Sequence, residues 1–108
     1  MNIKELASRY KAGQRDFRNL NLIAANLRNM NLSGANLSGS NLTKANLTRT
    51  NLSYANLTDA NLTDANLTET NFTKANMTKA NLSGADLSEA NLSRVHGRAI
   101  ETDAVVSS

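Results

Sequence analysis

A large apolar residue recurs at every fifth position of this chain without a slip in register. It occupies Phe17, Leu22, Leu27, Leu32, Leu37, Leu42, Leu47, Leu52, Leu57, Leu62, Leu67, Phe72, Met77, Leu82, Leu87 and Leu92. We call this slot the centre. The residue before it is Asn throughout, except at Asp16 and Asp86. Two before it stands mostly Ala, as at Ala25, Ala35, Ala45 and Ala55. The slot after the centre is Ser or Thr from Ser33 onward, and the last slot varies freely.

A period of five suits neither regular element. On an α-helix successive centres would rotate by about 140° and scatter around the axis. On a straight strand an odd period would send successive centres to opposite faces. A continuous buried face therefore requires the chain to turn once per repeat. Within a repeat the Ala slot and the centre are two apart and share a face, with Asn between them facing outward. The remaining two residues must turn the corner. A chain that turns the same way every five residues is a coil, and stacked coils bury a shared core. The spacing alone leaves open the number of sides and the hand.

The run ANLTDANLTDANLTET at 55–70 resembles the pentapeptide-repeat family, whose motif is A-(N/D)-L-x-x. The resemblance covers residues 15–94 and extends to a leader, RYKAGQRDF, similar to that of cyanobacterial members. It implies an all-β solenoid, a right-handed quadrilateral β-helix with four repeats per coil. Four coils follow, at 15–34, 35–54, 55–74 and 75–94, and each residue gains a neighbour twenty positions away. On that register Lys44 meets Asp64, Asp59 meets Lys79 and Arg49 meets Glu69, as weak surface pairs. The Asn slots are expected to form amide ladders, bonded to one another or to turn backbone. The Ser and Thr hydroxyls are expected to bond to backbone at the corners. Ser40, Thr50 and Thr70 stand in the inward Ala slot and need internal partners. Leu20 and Met30 also depart from Ala there, in the first coil, where a cap can absorb their bulk.

Solenoid ends need covers. Residues 1–14 read as a helical N-terminal cap, with Ile3, Leu6 and Tyr10 on one face directed at the first coil near Phe17. Asn2 suits the N-cap, Glu5 the capping-box position and Gly13 the helix end. Residues 95–108 read as a C-terminal cap or tail, because Gly97 occupies the next centre. Val95, Ile100 and Val105 keep the spacing but lie in the Ala slot. Two readings stay open there: an irregular cap with a frayed tail, or an open last coil that pairs with a second molecule to give a homodimer through the C-terminal end.

The chemistry is sparse. There is no Cys and only one His, His96, so no thiol chemistry and no metal site is expected. Asp59 and Asp64 fall on adjacent walls and make no paired carboxylate site. The glycines at 34, 39 and 84 sit in corner slots rather than in a phosphate loop. No catalytic residue, cofactor or metal is assigned, and an enzyme is not expected. The first residues are too polar for a signal segment and no apolar run could span a membrane, so a soluble, cytoplasmic chain without membrane partners is expected. The twelve Asn-x-Ser/Thr matches are then a by-product of the repeat.

The expected role is a non-catalytic scaffold that presents variable outer slots to an unknown macromolecule, a protein in the first instance. The candidate contacts are Arg18, Arg28 and Arg49 on the basic half, Asp59, Asp64, Glu69 and Glu89 on the acidic half, and Tyr54, the large aromatic in a corner slot. The halves differ: residues 1–54 hold eight basic and two acidic side chains, and residues 55–108 hold four and seven. Family resemblance adds an alternative, a DNA-shaped protein that binds a topoisomerase, which the formal net charge of +3 disfavours. A weak nucleic-acid binder through the basic half is another, though stacking aromatics are scarce. The uniform repeats also suit an engineered consensus chain, while the irregular ends favour a natural one.

Overall fold

A computed structural model describes residues 1–97. Past a short helix, the chain is held by isolated parallel bridges, each joining a residue to the one twenty positions on. They fall into four ladders. Asp16, Asn36, Asn56, Asn76 and His96 form the first, and Asn21, Asn41, Asn61 and Asn81 the second. Asn26, Asn46, Asn66 and Asp86 form the third, and Asn31, Asn51, Asn71 and Asn91 the fourth. Four consecutive repeats thus lie on four different ladders before the chain returns to the first. We number the walls one to four by these ladders. Each wall contributes one bridged residue per coil, because the corner interrupts the extended backbone too soon for a longer strand. The ladder passes the last full repeat: His96 pairs with Asn76, its N–H donating to the Ala75 carbonyl at 2.8 Å.

The centres face inward as their period requires. Every centre from Phe17 to Leu87 is buried, and Leu92 is half-buried. Ala35, Ala45, Ala55, Ala60 and Ala65 are also buried, their small side chains leaving room for the larger centres. The hydroxyls in this inward slot reach the backbone of the preceding coil. Thr50 Oγ1 donates to the Leu27 carbonyl and Thr70 Oγ1 to the Leu47 carbonyl, each at 2.6 Å. Ser40 Oγ donates to the Phe17 carbonyl at 3.1 Å and accepts from the Leu20 N–H at 3.1 Å. Among the described residues no buried side-chain polar atom lacks a partner.

Buried backbone must be paired, and one repeat shows how all five N–H groups are used. Ala45 donates to the Leu42 carbonyl across the turn, at 3.0 Å. Asn46 donates backward to Ala25 at 2.8 Å, and Leu47 forward to Asn66 at 2.8 Å. Arg49 donates forward to Thr68 at 2.9 Å. The fifth, on Thr48, is taken by the Asn46 side chain, whose Oδ1 accepts it at 3.1 Å. Thr48 Oγ1 donates to the same oxygen at 2.7 Å. Of the two alternatives for the Asn slot, bonding to turn backbone holds, and the expectation for the Ser/Thr hydroxyls is corrected. In this and comparable repeats Asn bonds within its own repeat, to the N–H two residues on, and the Thr hydroxyl donates to Asn rather than to backbone.

The corner carries a second regularity, hidden from the sequence. Every last slot from Asn19 to Arg94 has positive φ, between 57° and 73°. A turn closed by a bond between its first and fourth residues, with positive φ only at the third, is of type II. Glycine fits that conformation; side chains such as Lys44, Tyr54 and Glu69 adopt it at some cost.

Helix α1 spans Ile3–Lys11. Asn2 Oδ1 accepts from the Glu5 N–H at 2.8 Å, so Asn2 is the N-cap, while the Glu5 carboxylate pairs with Arg9 at 2.7 Å. Leu6 is fully buried, and Ile3 and Tyr10 pack partly buried against the same core. Tyr10 Oη donates to the Ser33 carbonyl at 2.6 Å, which ties α1 to the first coil. The Arg15 guanidinium lies 3.7 Å from the Tyr10 ring centroid. The expectations for Ile100, Val105 and a C-terminal dimer contact fall on residues 98–108, outside the described residues.

Three outcomes follow from this wiring. Asn61→Ala leaves the Thr63 N–H without the acceptor it holds at 3.0 Å and should destabilise the chain by about 1–3 kcal/mol in urea unfolding. Asn61→Asp keeps the acceptor and should cost less; equal losses would contradict the turn role. Gly34→Ala should cost about 1 kcal/mol, although a Cβ there would meet nothing within 4 Å; an unchanged midpoint would show that the positive φ is free. The third concerns Asp86, whose carboxyl is held below the ordinary aspartate range by the Ser88 hydroxyl and then the Ser88 N–H. A carboxyl with a lowered folded pKa adds stability above its unfolded pKa and loses it as pH falls through the folded value. Wild type should therefore lose more stability than Asp86→Asn below about pH 4, read from thermal midpoints across pH; parallel profiles would refute the assignment.

Candidate interaction surface

The outer side chains of each repeat are set by the same wiring. Asn is held by its own turn, and the last slot projects from a left-handed corner. Side chains at equivalent corners of successive coils are therefore near neighbours. Asp64 shows this at close range: a Cβ built on Gly84, twenty residues on, would collide with its Oδ1.

The sequence-derived candidates spread over all four walls. Arg18 and Asp59 lie on the first, Asp64 on the second, Arg28, Arg49, Glu69 and Glu89 on the third, and Tyr54 on the fourth, as their ladder positions require. Wall three alone gathers several. There Arg49 Nε donates to Asn29 Oδ1 at 3.0 Å, and its Nη1 lies 3.4 Å from Glu69 Oε2. Arg28 is exposed and closes no ion pair among the described residues. The other two register pairs are corrected. Lys44 stacks on the coil of Asp64, and Asp59 on that of Lys79, but neither closes an ion pair among the described residues. Short Asp side chains and flexible, exposed Lys side chains gain too little in water to be held together.

Arg18 is committed locally. Its Nε and Nη2 donate to the two carboxylate oxygens of Asp16, each at 2.9 Å. These bonds hold the Asp16 carboxyl below its ordinary range and raise Arg18. The signal was present in the sequence, since the slots on either side of a centre both face outward. Tyr54 is 61% exposed, so it does not fold down across its corner. The Lys74 ammonium, one coil on, lies 5.4 Å from its ring centroid, within cation–π range. That pair was also readable from the twenty-residue register.

Among the described residues no group of His, Asp and Glu could hold a metal ion, and no helix is long and apolar enough to cross a membrane. The shallow depression beside α1 is lined by Asn2, Lys4, Glu5, Ser8 and Arg9, with no centre to aim at.

Comparison with known proteins supplies the relationship. The model of pentapeptide repeats matches residues 16–53 and 55–94, with eight copies. No curated protein matches. Among solved structures, a pentapeptide repeat protein from the Arabidopsis thaliana thylakoid lumen is 31% identical, over 76% of this chain and 57% of its own, with a TM-score of 0.71. The present chain thus spans little more than half of that relative. Rfr23, a pentapeptide repeat protein from the cyanobacterium Cyanothece 51142, is 28% identical over 96% of this chain and 99% of its own, with a TM-score of 0.56. QnrB1, a plasmid-mediated fluoroquinolone resistance protein, shares the fold at 22% identity, covering 85% of this chain and 55% of its own, with a TM-score of 0.51. With the repeat matched over most of its length and the same fold in these neighbours, the chain belongs to the pentapeptide repeat family.

Proposed function

We propose that this chain is a non-catalytic scaffold whose corner side chains bind a protein partner. The observation that carries the reading is the division of labour within the repeat. The inward slots and Asn are almost constant and fully occupied by packing and backbone bonds, so variation is confined to exposed corners on rigid backbone. Solenoids commonly bind through such surfaces, and a rigid array loses little entropy on binding. The reading takes the coil as the right-handed, quadrilateral form of its family neighbours.

The charge layout disfavours the alternatives. A mimic of DNA needs continuous acidic columns, whereas the corner ladders here mix signs, as Asn29, Arg49, Glu69 and Glu89 do. A nucleic-acid binder needs cations gathered on one face, whereas Arg18 and Arg49 already hold carboxylates and Arg28 and Lys44 lie on different walls. The test is affinity capture with the wild-type chain and with a variant reversed at Arg28, Arg49 and Glu69. A protein retained by the first and lost by the second supports the scaffold. Identical captured sets, or none, would overturn the assignment to these corners.

A further inference from the structure

Wall three has a charge order that the other walls lack. Reading from the first coil to the fourth, its outward charges are Arg28, then Arg49, then Glu69, then Asp86 with Glu89. Its first two coils are basic and its last two acidic. The sign changes midway, between the second and third coils. A two-fold axis lying in the plane of the wall, at right angles to the coil stack and at that midpoint, brings a second copy face to face and sets the first coil against the fourth and the second against the third. Such an axis generates an isologous pair. It sets Arg28 of one copy opposite Asp86 and Glu89 of the other, and Arg49 opposite Glu69, with each contact made twice. A parallel arrangement would set like charges together.

No other wall meets this operation with more than one complementary contact. On wall one it sets Asp59 against uncharged residues. On wall two it matches only Lys44 with Asp64. Wall four carries Lys74 and Arg94 with no acid among the described residues.

We propose that wall three docks against the same wall of a second copy of this chain, with the two coils antiparallel. The side chains at the axis are already in position. Arg49 is held by Asn29 and Glu69 at 3.0 and 3.4 Å. A second copy brings its own Arg49 and Glu69, so four charges of alternating sign meet around the axis. Networks of this kind contribute more than isolated surface pairs. The rest of the wall is Asn, Ser and Thr with small Thr48 and Thr68 beside the axis, so nothing bulky holds the copies apart. The bridged backbone of each coil is already paired with its neighbours, so the contact is made by side chains and not by strand addition.

The size of the wall sets the strength. Four coils at about 4.8 Å each, and a narrowest extent of 21 Å, give about 400 Å² per copy. That lies at or below the range of weak, transient complexes. The dimer is therefore populated only at high protein concentration, and it is salt-sensitive because its charges are exposed. This contact goes beyond the scaffold reading, which would survive its failure, since a partner protein could still bind elsewhere.

Sedimentation equilibrium of the full chain, at high concentration and in low and high salt, tests the proposal. The expected result is self-association at low salt, with a dissociation constant weakened about tenfold or more at ~0.5 M salt. Arg28→Glu with Arg49→Glu should abolish it, as should Glu69→Arg with Glu89→Arg. An equimolar mixture of the two variants should restore pairing, because each then complements the other in the antiparallel arrangement. Circular dichroism confirms that each variant is folded before it is scored, and the salt dependence of the wild type stands independently. A strict monomer at low salt overturns the proposal. So does an association that ignores salt and both reversals, which would place the contact on another surface, and so does failure of the folded variants to pair.

Discussion

The structure depends on one side-chain oxygen per repeat. A coil that turns every five residues can pair four of its five N–H groups through ladders and turns, but the N–H just after the centre points out of reach of both. Asn Oδ1 accepts it, at 3.1 Å from Ser33, Thr43 and Thr48 and at 3.0 Å from Thr63. A buried or half-buried amide without a partner costs on the order of 1–3 kcal/mol, and the corner recurs at every repeat. This explains why the slot holds Asn or Asp in every full repeat: both carry an oxygen at the right distance, and an Asx turn needs nothing else. The Thr hydroxyl then donates to the same oxygen and holds it in place.

The corner has a cost as well as a partner. Left-handed backbone disfavours side chains with a Cβ, yet this chain places Lys, Arg, Asp, Glu and Tyr there, with Gly at only three full repeats. The strain is tolerated because the neighbouring residues on both sides are fixed by inter-coil bonds. Its product is a set of outward side chains on backbone that is hydrogen-bonded to the neighbouring coils. Binding surfaces built on regular elements are more exact than those on loops, and the coil turns what is formally a string of turns into such an element.

Charge follows the same geometry. Vectors twenty residues apart run side by side, so a pattern invisible along the chain becomes a column on a wall. Arg49 and Glu69 form an ion pair because both side chains are long enough to meet, and Arg49 is held from the other side by Asn29. Lys44 and Asp64 share a register without pairing. Register alone therefore does not specify an ion pair; reach and desolvation do. The scaffold proposal rests on these columns, since among the described residues the buried polar side-chain atoms of the interior all have partners.

The inward Leu and Ala slots, the outward Asn and a helix near the N-terminus with Asn2 as its N-cap were legible in the sequence. Each follows from periodicity or local capping, which depend on nearby residues alone. The twenty-residue register came from likeness to a family rather than from spacing, since a period of five is compatible with more than one number of sides. The tertiary structure alone decided the rest. It put every last slot at positive φ, although Lys, Glu and Tyr give no local sign of it. It directed the Thr hydroxyls to Asn rather than to backbone, carried the first ladder on to His96, and chose Arg49–Glu69 over its two register equivalents. These outcomes depend on which groups stand one coil away and on which N–H is left unpaired, and neither quantity exists until the coil has closed.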